Sequence, residues 1–475
     1  MEWDLVILGG GAAAFSAAIA ASELGARALM LNKGLPIGGT CVNVGCMPSK
    51  FLLHAVREYY SRLNTPPWLR EAGKVELNFA RLIEEKAQLV QALRKRNYSD
   101  VLRHLPGIRF VEGRGRLVGI SAGKGCCGLP SSFTVEVEGE RVQAAHVLIA
   151  TGARTAIPPV AGIDQAEPLT HIQALELQEP PKSLAIFGAG PLGLEFAQIF
   201  RRAGSEVTVI EIAPRILPNH DGEIAAVLQS HLESEGIRFL LGSKVERITG
   251  KPGELTLWVN GKPALQAERV LVATGIRPNV EGLGLEELGV ARDARGFLRV
   301  DARQETNIPG LYAAGDVTGI MPLETVAARQ GYNAAYNALT GDARTIDYHR
   351  VPHAVFTDPE VAAVGWTEEA ARAQLGDCLC LRLSLEAVPR AHAVGDARGM
   401  VKLVLHPDDK RLLGAHVVAP HASELIHVPV IAMAAGMRAT ELLESIFVFP
   451  TYGEAWKIAL ELVERPLTQR SCCVR

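Results

Sequence analysis

The chain starts on a strand-like run, Asp4-Leu5-Val6-Ile7-Leu8, whose unbroken apolar residues suit a strand buried on both faces of a parallel sheet. Comparable runs recur at Arg27 to Leu31, His146 to Thr151, Ser183 to Phe187, Glu206 to Ile210, Val270 to Gly275 and, less regularly, Thr306 to Asp316. Between them lie stretches with helical spacing. The alanine-rich segment to Leu24 follows the first run, and Asn78 to Leu105 sets Leu82, Ile83, Val90 and Leu93 near a helical period in a charged sequence. Another helix is expected from Leu323. Strands alternating with helices predict an α/β fold. From Tyr348 the pattern changes to alternating strands, Met400 to Leu405 and Leu412 to Val418, and then helices, which predicts a final α+β domain.

Glycines sharpen two strand-to-helix junctions. Gly9, Gly11 and Ala14 form Gly-x-Gly-x-x-Ala after the first strand, and Gly188, Gly190 and Gly193 form the full Gly-x-Gly-x-x-Gly after Phe187. The first glycine permits the tight turn, the second admits a pyrophosphate to the backbone, and the small third residue lets helix and strand pack closely. At the end of the following strand an acid normally receives the ribose hydroxyls. Asn32 stands there in the first unit and Glu211 in the second. A carboxylate repels a 2'-phosphate, so Glu211 predicts a preference for NADH over NADPH, moderated by nearby Arg215. Two Ala-Thr-Gly turns, at Thr151-Gly152 and Thr274-Gly275, mark places where the chain crosses between related nucleotide domains. Asp316 ends a third turn, where its carboxylate would suit a ribityl hydroxyl, a group found on flavins.

Composition excludes more than it identifies. With 475 residues, burial is not limiting and several domains are expected, while a formal net charge of -3 offers no basic field to nucleic acid. No signal peptide or membrane-spanning run is read, and the 8 cysteines fall in pairs, so a reducing cytoplasm is expected. The pair Cys41 and Cys46 lies in Gly38-Gly39-Thr40-Cys41-Val42-Asn43-Val44-Gly45-Cys46-Met47-Pro48-Ser49-Lys50, which runs into a helix-like segment. Pairing thiols at this spacing needs a local distortion, which Gly45 makes cheap. A thiolate near a helix N-terminus is stabilised there, which suits redox or metal chemistry; two buried structural cysteines are the alternative. Cys126-Cys127 reads as an incidental loop pair. Cys472-Cys473 sits on a C-terminal tail.

Together these motifs resemble the flavin-dependent pyridine nucleotide-disulfide oxidoreductases over essentially the whole chain, and most specifically their mercuric reductase branch. Disulfide reductases of the family carry His-Pro and a following Glu near the C-terminus; here Phe449-Pro450 and Glu454 occupy those places. Without the imidazole, exchange with an organic disulfide lacks its proton shuttle. The resemblance implies two Rossmann-like domains, for FAD and NAD(P), and a C-terminal α+β dimerisation domain. The division implied is 1–152 and 276–346 for FAD, 153–275 for NAD(P), and 347–475 for the interface. It further implies electron flow from NADH or NADPH through FAD to Cys41–Cys46, with Cys46 next to the flavin and Cys41 exchanging with substrate. Lys50 and Glu195 would pair beside the flavin, and Tyr452 matches a tyrosine near the catalytic segment. Cys472 and Cys473, from the partner of a homodimer, would pass Hg(II) to Cys41 and Cys46. Longer members begin with a metal-binding domain that this sequence is expected to lack. A dihydrolipoamide dehydrogenase-like disulfide reductase and a non-catalytic mercury-binding flavoprotein are the rival readings.

Overall fold

The computed structural model describes residues 2–64, 75–122, 130–464 and 466–467. They form two compact units, one made of Met1–Phe51, Ala80–Ala156 and Gly275–Ile346, the other of Leu52–Phe79, Ile157–Thr274 and Asp347–Arg475.

In the first unit the strand Trp3–Leu8 is central, with Ala28–Asn32 and then Ile108–Glu112 in parallel on one side and Glu140–Ile149 in parallel on the other. The strand Leu311–Ala313 pairs in parallel with Glu140–Ile149, and Gly115–Ala122 and Pro130–Val137 extend that side as an antiparallel meander. Helices Ala12–Glu23 and Glu324–Thr340 share one apolar cluster with these strands, built largely of alanine. Small residues permit the close approach: a Cβ at Gly331 would run into the Ala13 backbone. The amphipathic stretch expected from Asn78 forms helix Phe79–Arg94, then a π-turn, Lys95–Ser99, and a last turn, Asp100–Leu102.

The second unit holds three sheets. Arg238–Leu240, Glu206–Ile210, Ser183–Phe187 and Arg269–Val272 are parallel, and Val245–Thr249, Leu255–Val259 and Lys262–Ala267 form an antiparallel triplet. The third sheet runs in the order His353–Val355, Glu360–Gly365, Leu412–Ala419, Met400–Leu405, Leu379–Ser384, antiparallel throughout. Fully buried Trp456 centres its core and donates its indole N–H to the Leu425 carbonyl at 3.0 Å. The spans 153–275 and 347–475 keep separate sheets but belong largely to one unit, and 52–79 joins that unit instead of the first. Arg57 shows why: its guanidinium lies 3.7 Å from both Asp358 and Glu360, partners far along the chain that hydrophobic patterning does not reveal.

Three histidines meet inside this unit. The His220 and His353 rings lie 4.9 Å apart, neither ring nitrogen of His220 has a hydrogen-bond partner among the described residues, and His416 bonds there only through Nε2, which donates to the Trp366 carbonyl. Burial first, then neighbouring imidazoles, pushes His220 down to about 3 and His353 down to about 4, and burial lowers His416. A histidine held neutral stabilises the fold above its ordinary pKa, and that stability is lost as pH falls toward the folded-state value. Urea denaturation is therefore expected to show a loss of about 3 kcal/mol between pH 7 and pH 5 from His220 and His353 together. Asparagine at both positions should remove most of this slope, and a slope unchanged by the substitutions would refute the assignment.

Candidate active site

Cys41 lies in the short helix Gly39–Val44 and Cys46 is the first residue of helix Cys46–Leu63. The break between them is at Gly45, whose φ of -125° and ψ of -113° leave the helical region. A Cβ there would come within 2.9 Å of the Thr40 carbonyl oxygen, so glycine is needed for closeness as well as for the turn. Both cysteines are free thiols, Cys41 partly buried and Cys46 exposed. The Cys41 thiol is pushed up, first by its hydrogen bond to Cys46, then by burial and by the negative charge of Cys46 and Glu324, with Lys50 opposing. Such a pair resists losing both protons until a cation replaces them.

The surroundings add residues that motif reading missed. Asn43 donates to the carbonyls of Pro36 and Gly39, at 3.0 and 2.8 Å, and accepts from Arg94 at 3.0 Å, which ties the thiol-bearing helix to the end of Phe79–Arg94. Tyr98, in the π-turn, packs edge-on against Phe15 at 5.0 Å; burial, then Cys41, Glu324 and Cys46, push it up to about 12. A π-turn within a helix is a common mark of a functional site, but no residue pattern announces it in the sequence. Glu324 begins the helix expected from Leu323.

The first glycine fingerprint abuts this site. A Cβ on Gly9, at φ +136°, would strike the Ala150 carbonyl, and one on Gly39 would come within 2.6 Å of the Gly11 Cα. Gly11 caps helix Ala12–Glu23 with no side-chain hydrogen bond, which leaves first-turn N–H groups for a pyrophosphate, and Ala14 is fully buried behind it. Asp316 carries the second part of the fit. Its carboxyl is pushed up by burial alone and has no hydrogen bond among the described residues, as suits a carboxylate whose partner is a ligand hydroxyl. These features fit FAD, which Gly9, Gly11 and Asp316 would hold. Asn32 donates one amide N–H to the Leu35 carbonyl at 2.9 Å and keeps its second N–H and its oxygen for a ribose. Thr40 is exposed on the Cys41 helix. Thr151 gives its hydroxyl to the Asn279 carbonyl at 2.6 Å, so its side chain secures the crossing where Ala153–Thr155 pairs with Ile276–Pro278. Gly152 and Gly275, at φ +68° and +113°, form the turns of that crossing.

In the second unit the other fingerprint has the same form. Gly188, at φ +104°, turns against the Ala273 carbonyl, Gly193 packs on Gly188, and a Cβ on Gly190 would meet open space at the start of helix Pro191–Arg202. Glu211 accepts from the backbone of Ala189 at 2.7 Å and Ala213 at 2.8 Å, so it braces the turn. Arg215 binds the carbonyls of Pro218 and His220, at 3.0 and 3.3 Å, and Glu369 at 3.3 Å; its expected moderating charge is engaged within the protein. Glu195 is buried and accepts from the Phe356 N–H at 3.0 Å. It belongs to the second unit and Lys50 to the first. Tyr452 is buried, donates to the Asp396 carbonyl at 2.5 Å and is pushed up to about 12 first by burial, so within this unit it secures packing. Phe449 is half exposed, and Glu454 is buried and accepts from Thr451 N–H. Cys126, Cys127, Cys472 and Cys473 lie outside the described residues.

Comparison with known proteins now decides the family. Residues 3–331 match the pyridine nucleotide-disulphide oxidoreductase model, and residues 351–460 match the dimerisation domain of the same proteins. The chain belongs to the pyridine nucleotide-disulphide oxidoreductase family. A mercuric reductase of Streptomyces lividans is 38% identical, over 99% of this chain and 98% of its own. The dihydrolipoyl dehydrogenase of Pisum sativum is 34% identical, over 98% and 92%. Among solved structures, the HOCl-induced flavoprotein disulfide reductase RclA of Escherichia coli superposes with a TM-score of 0.85 at 29% identity, over 97% of this chain and all of that one. The family uses FAD and NAD(P)H, and this chain is a flavin-dependent oxidoreductase. Among the described residues no helix is long and apolar enough to cross a membrane.

Proposed function

We propose that the protein reduces Hg(II) to Hg(0) in the cytoplasm with electrons from NAD(P)H. One observation carries the choice of acceptor: the dithiol Cys41–Cys46 stands in a chain whose C-terminal segment has Phe449 where disulfide reductases of the family have histidine. A disulfide acceptor needs an imidazole to move its protons. A thiol-bound cation needs only ligand exchange. The mercuric reductases among the relatives support this reading.

Hg(II) arrives as a bis-thiol complex. Cys41, the exchanging thiol, attacks first; Cys46, next to the flavin, follows, and each proton the pair carries goes to a departing thiolate. Each exchange forms one metal–sulfur bond and breaks another, and positive charge at the metal offsets the repulsion that otherwise keeps Cys41 protonated. Lys50 lowers the cost of the second thiolate. Gly9, Gly11 and Asp316 would hold FAD, which would supply the two electrons, drawn from the reduced nucleotide, that convert Hg(II) to Hg(0). Neutral mercury has little affinity for thiolate and leaves. In this reading Cys472–Cys473 of a homodimeric partner deliver the metal. The matched dimerisation domain, with exposed Ile431, Ile446, Val448 and Phe449, supports the dimer.

The deciding experiment is Hg(II)-dependent oxidation of NADH and NADPH by the purified protein with elemental mercury collected from the gas phase. Rapid turnover of lipoamide without mercury reduction would replace this reading by the disulfide reductase one. Glu211 leads us to expect kcat/KM for NADH above that for NADPH by about tenfold or more, the effect of one unrelieved like-charge contact; a ratio favouring NADPH refutes it. Alanine at both Cys472 and Cys473 is expected to lower kcat/KM for Hg(II) presented with excess thiol by on the order of 100-fold, because tethered ligands lose their effective concentration. Equal turnover by that variant would remove the tail from the mechanism.

A further inference from the structure

The third sheet of the second unit carries another thiol pair, which the chemistry above does not use. Cys378 immediately precedes strand Leu379–Ser384, and Cys380 lies within it. Side chains two apart on a strand share a face. Leu381 and Leu383 enter the core, so Cys378, Cys380 and Arg382 project from the opposite face, toward Glu368 at the start of helix Glu368–Leu375. Cys378 is buried among Ala371 and Val404, and Cys380 is half-buried. Their sulfurs are 3.0 Å apart, far beyond the roughly 2.05 Å of a disulfide. Both sulfurs and a Glu368 oxygen lie within 4.8 Å of one another.

That carboxylate is already saturated. Its Oε1 accepts from Arg372 Nε at 3.1 Å and Nη2 at 3.0 Å; its Oε2 takes Lys402 at 2.8 Å and Arg382. A carboxylate has about four acceptor positions, and all are filled. Among the described residues the pocket therefore offers two sulfurs and no third ligand. Tetrahedral Zn(II) wants four, whereas soft cations of low coordination number are satisfied by two thiolates.

We propose that Cys378 and Cys380 form a second metal site, which binds a two-coordinate thiophilic cation, Hg(II) or Cu(I), through two thiolates. A linear S–metal–S unit spans roughly 4.6 Å for bonds of about 2.3 Å. Residues two apart on a strand have Cα atoms about 6.7 Å apart, so side-chain rotation opens the sulfurs to that span without moving the backbone. Burial, then the hydrogen bond to Cys378, pushes the Cys380 thiol up to about 12. Loading from a bis-thiol complex forms two metal–sulfur bonds and breaks two. Two protons pass from the protein thiols to the departing thiolates, and the metal keeps its oxidation state. Arg372, Arg382 and Lys402 stabilise the thiolates as they form.

The test uses the reduced, flavin-loaded full chain, titrated with Hg(II) in the presence of free cysteine, alkylated with iodoacetamide and mapped by peptide mass spectrometry. Cys378 and Cys380 are expected to be protected together by Hg(II), and not by Zn(II). Native mass spectrometry should count one fewer Hg(II) per chain in Cys380→Ser. Equal alkylation with and without Hg(II), a Cys378–Cys380 disulfide in the isolated protein, or equal protection by Zn(II) would each overturn the proposal. The mapping needs no variant to fold, and its outcome does not depend on whether Cys41 and Cys46 reduce mercury.

Discussion

Alanine in place of Cys46 is expected to lower Hg(II)-dependent nucleotide oxidation by about 10³-fold or more, as removal of one member of a unit that acts together does. A single thiolate cannot hold Hg(II) without an external thiol as its second ligand, so the metal stays exchangeable and is not confined near the flavin site. The same substitution has a second readout. The hydrogen bond to Cys46 is the largest influence raising Cys41, and the Cys46 charge adds to it. Without both, Cys41 loses its proton at lower pH and should alkylate faster near neutrality. Flavin content should be unchanged, because the residues that fit the cofactor, Gly9, Gly11 and Asp316, are elsewhere. A variant that keeps more than a tenth of the wild-type turnover would show that the pair does not act as a unit.

How far the sequence discloses this site depends on the kind of constraint. Glycine fingerprints are local: the turn, the close approach and the helix start lie within a few residues, so Gly9, Gly11, Gly188 and Gly193 are legible directly, and strands Ser183–Phe187 and Glu206–Ile210 fall where the apolar runs place them. Contacts distant in sequence are not. Asn43 with Arg94, Tyr98 beside the thiols, and Arg57 against Asp358 and Glu360 need the folded chain. Polar residues read for ligand binding also proved to be shared with the scaffold. Thr151 serves Asn279, and Glu211 braces two backbone amides. Cys378 and Cys380 match no motif; only strand alternation and the packing of Glu368 bring their chemistry together.

The least legible feature predicts the largest stability effect. Lys402 lies in strand Met400–Leu405 with 3% of its side chain exposed, and its ammonium is 2.8 Å from Asp221, 2.7 Å from Glu223 and 2.8 Å from Glu368. Burial opposes the charge of Lys402, but the bonds to Asp221, Glu223 and Glu368 outweigh it and raise its pKa. Burial likewise opposes ionisation of Asp221 and is outweighed by Lys402, while the Lys402 hydrogen bond leads the causes that bring Glu368 down to about 2. Methionine at 402 fills similar volume and leaves these carboxylates short of a cation. Arg382 still serves Glu223 and Glu368, so the cost falls on Asp221, which keeps only the N–H groups of Glu223 and Ile224 that it caps. Lys402→Met is expected to cost about 3–5 kcal/mol, the usual penalty for removing one partner of a buried ion pair. The sign of its pH dependence follows. Carboxylates held low contribute stability above their ordinary pKa, and that contribution disappears as pH falls toward the folded-state value. In the variant Asp221 loses the Lys402 bond and charge, which lead what holds it down, so its pKa rises relative to the wild type and protonation relieves the strain. The deficit between wild type and Lys402→Met, measured by urea denaturation, should thus be largest at pH 7 and shrink toward pH 4. A deficit that is constant over that range would mean that the loss comes from packing and not from charge.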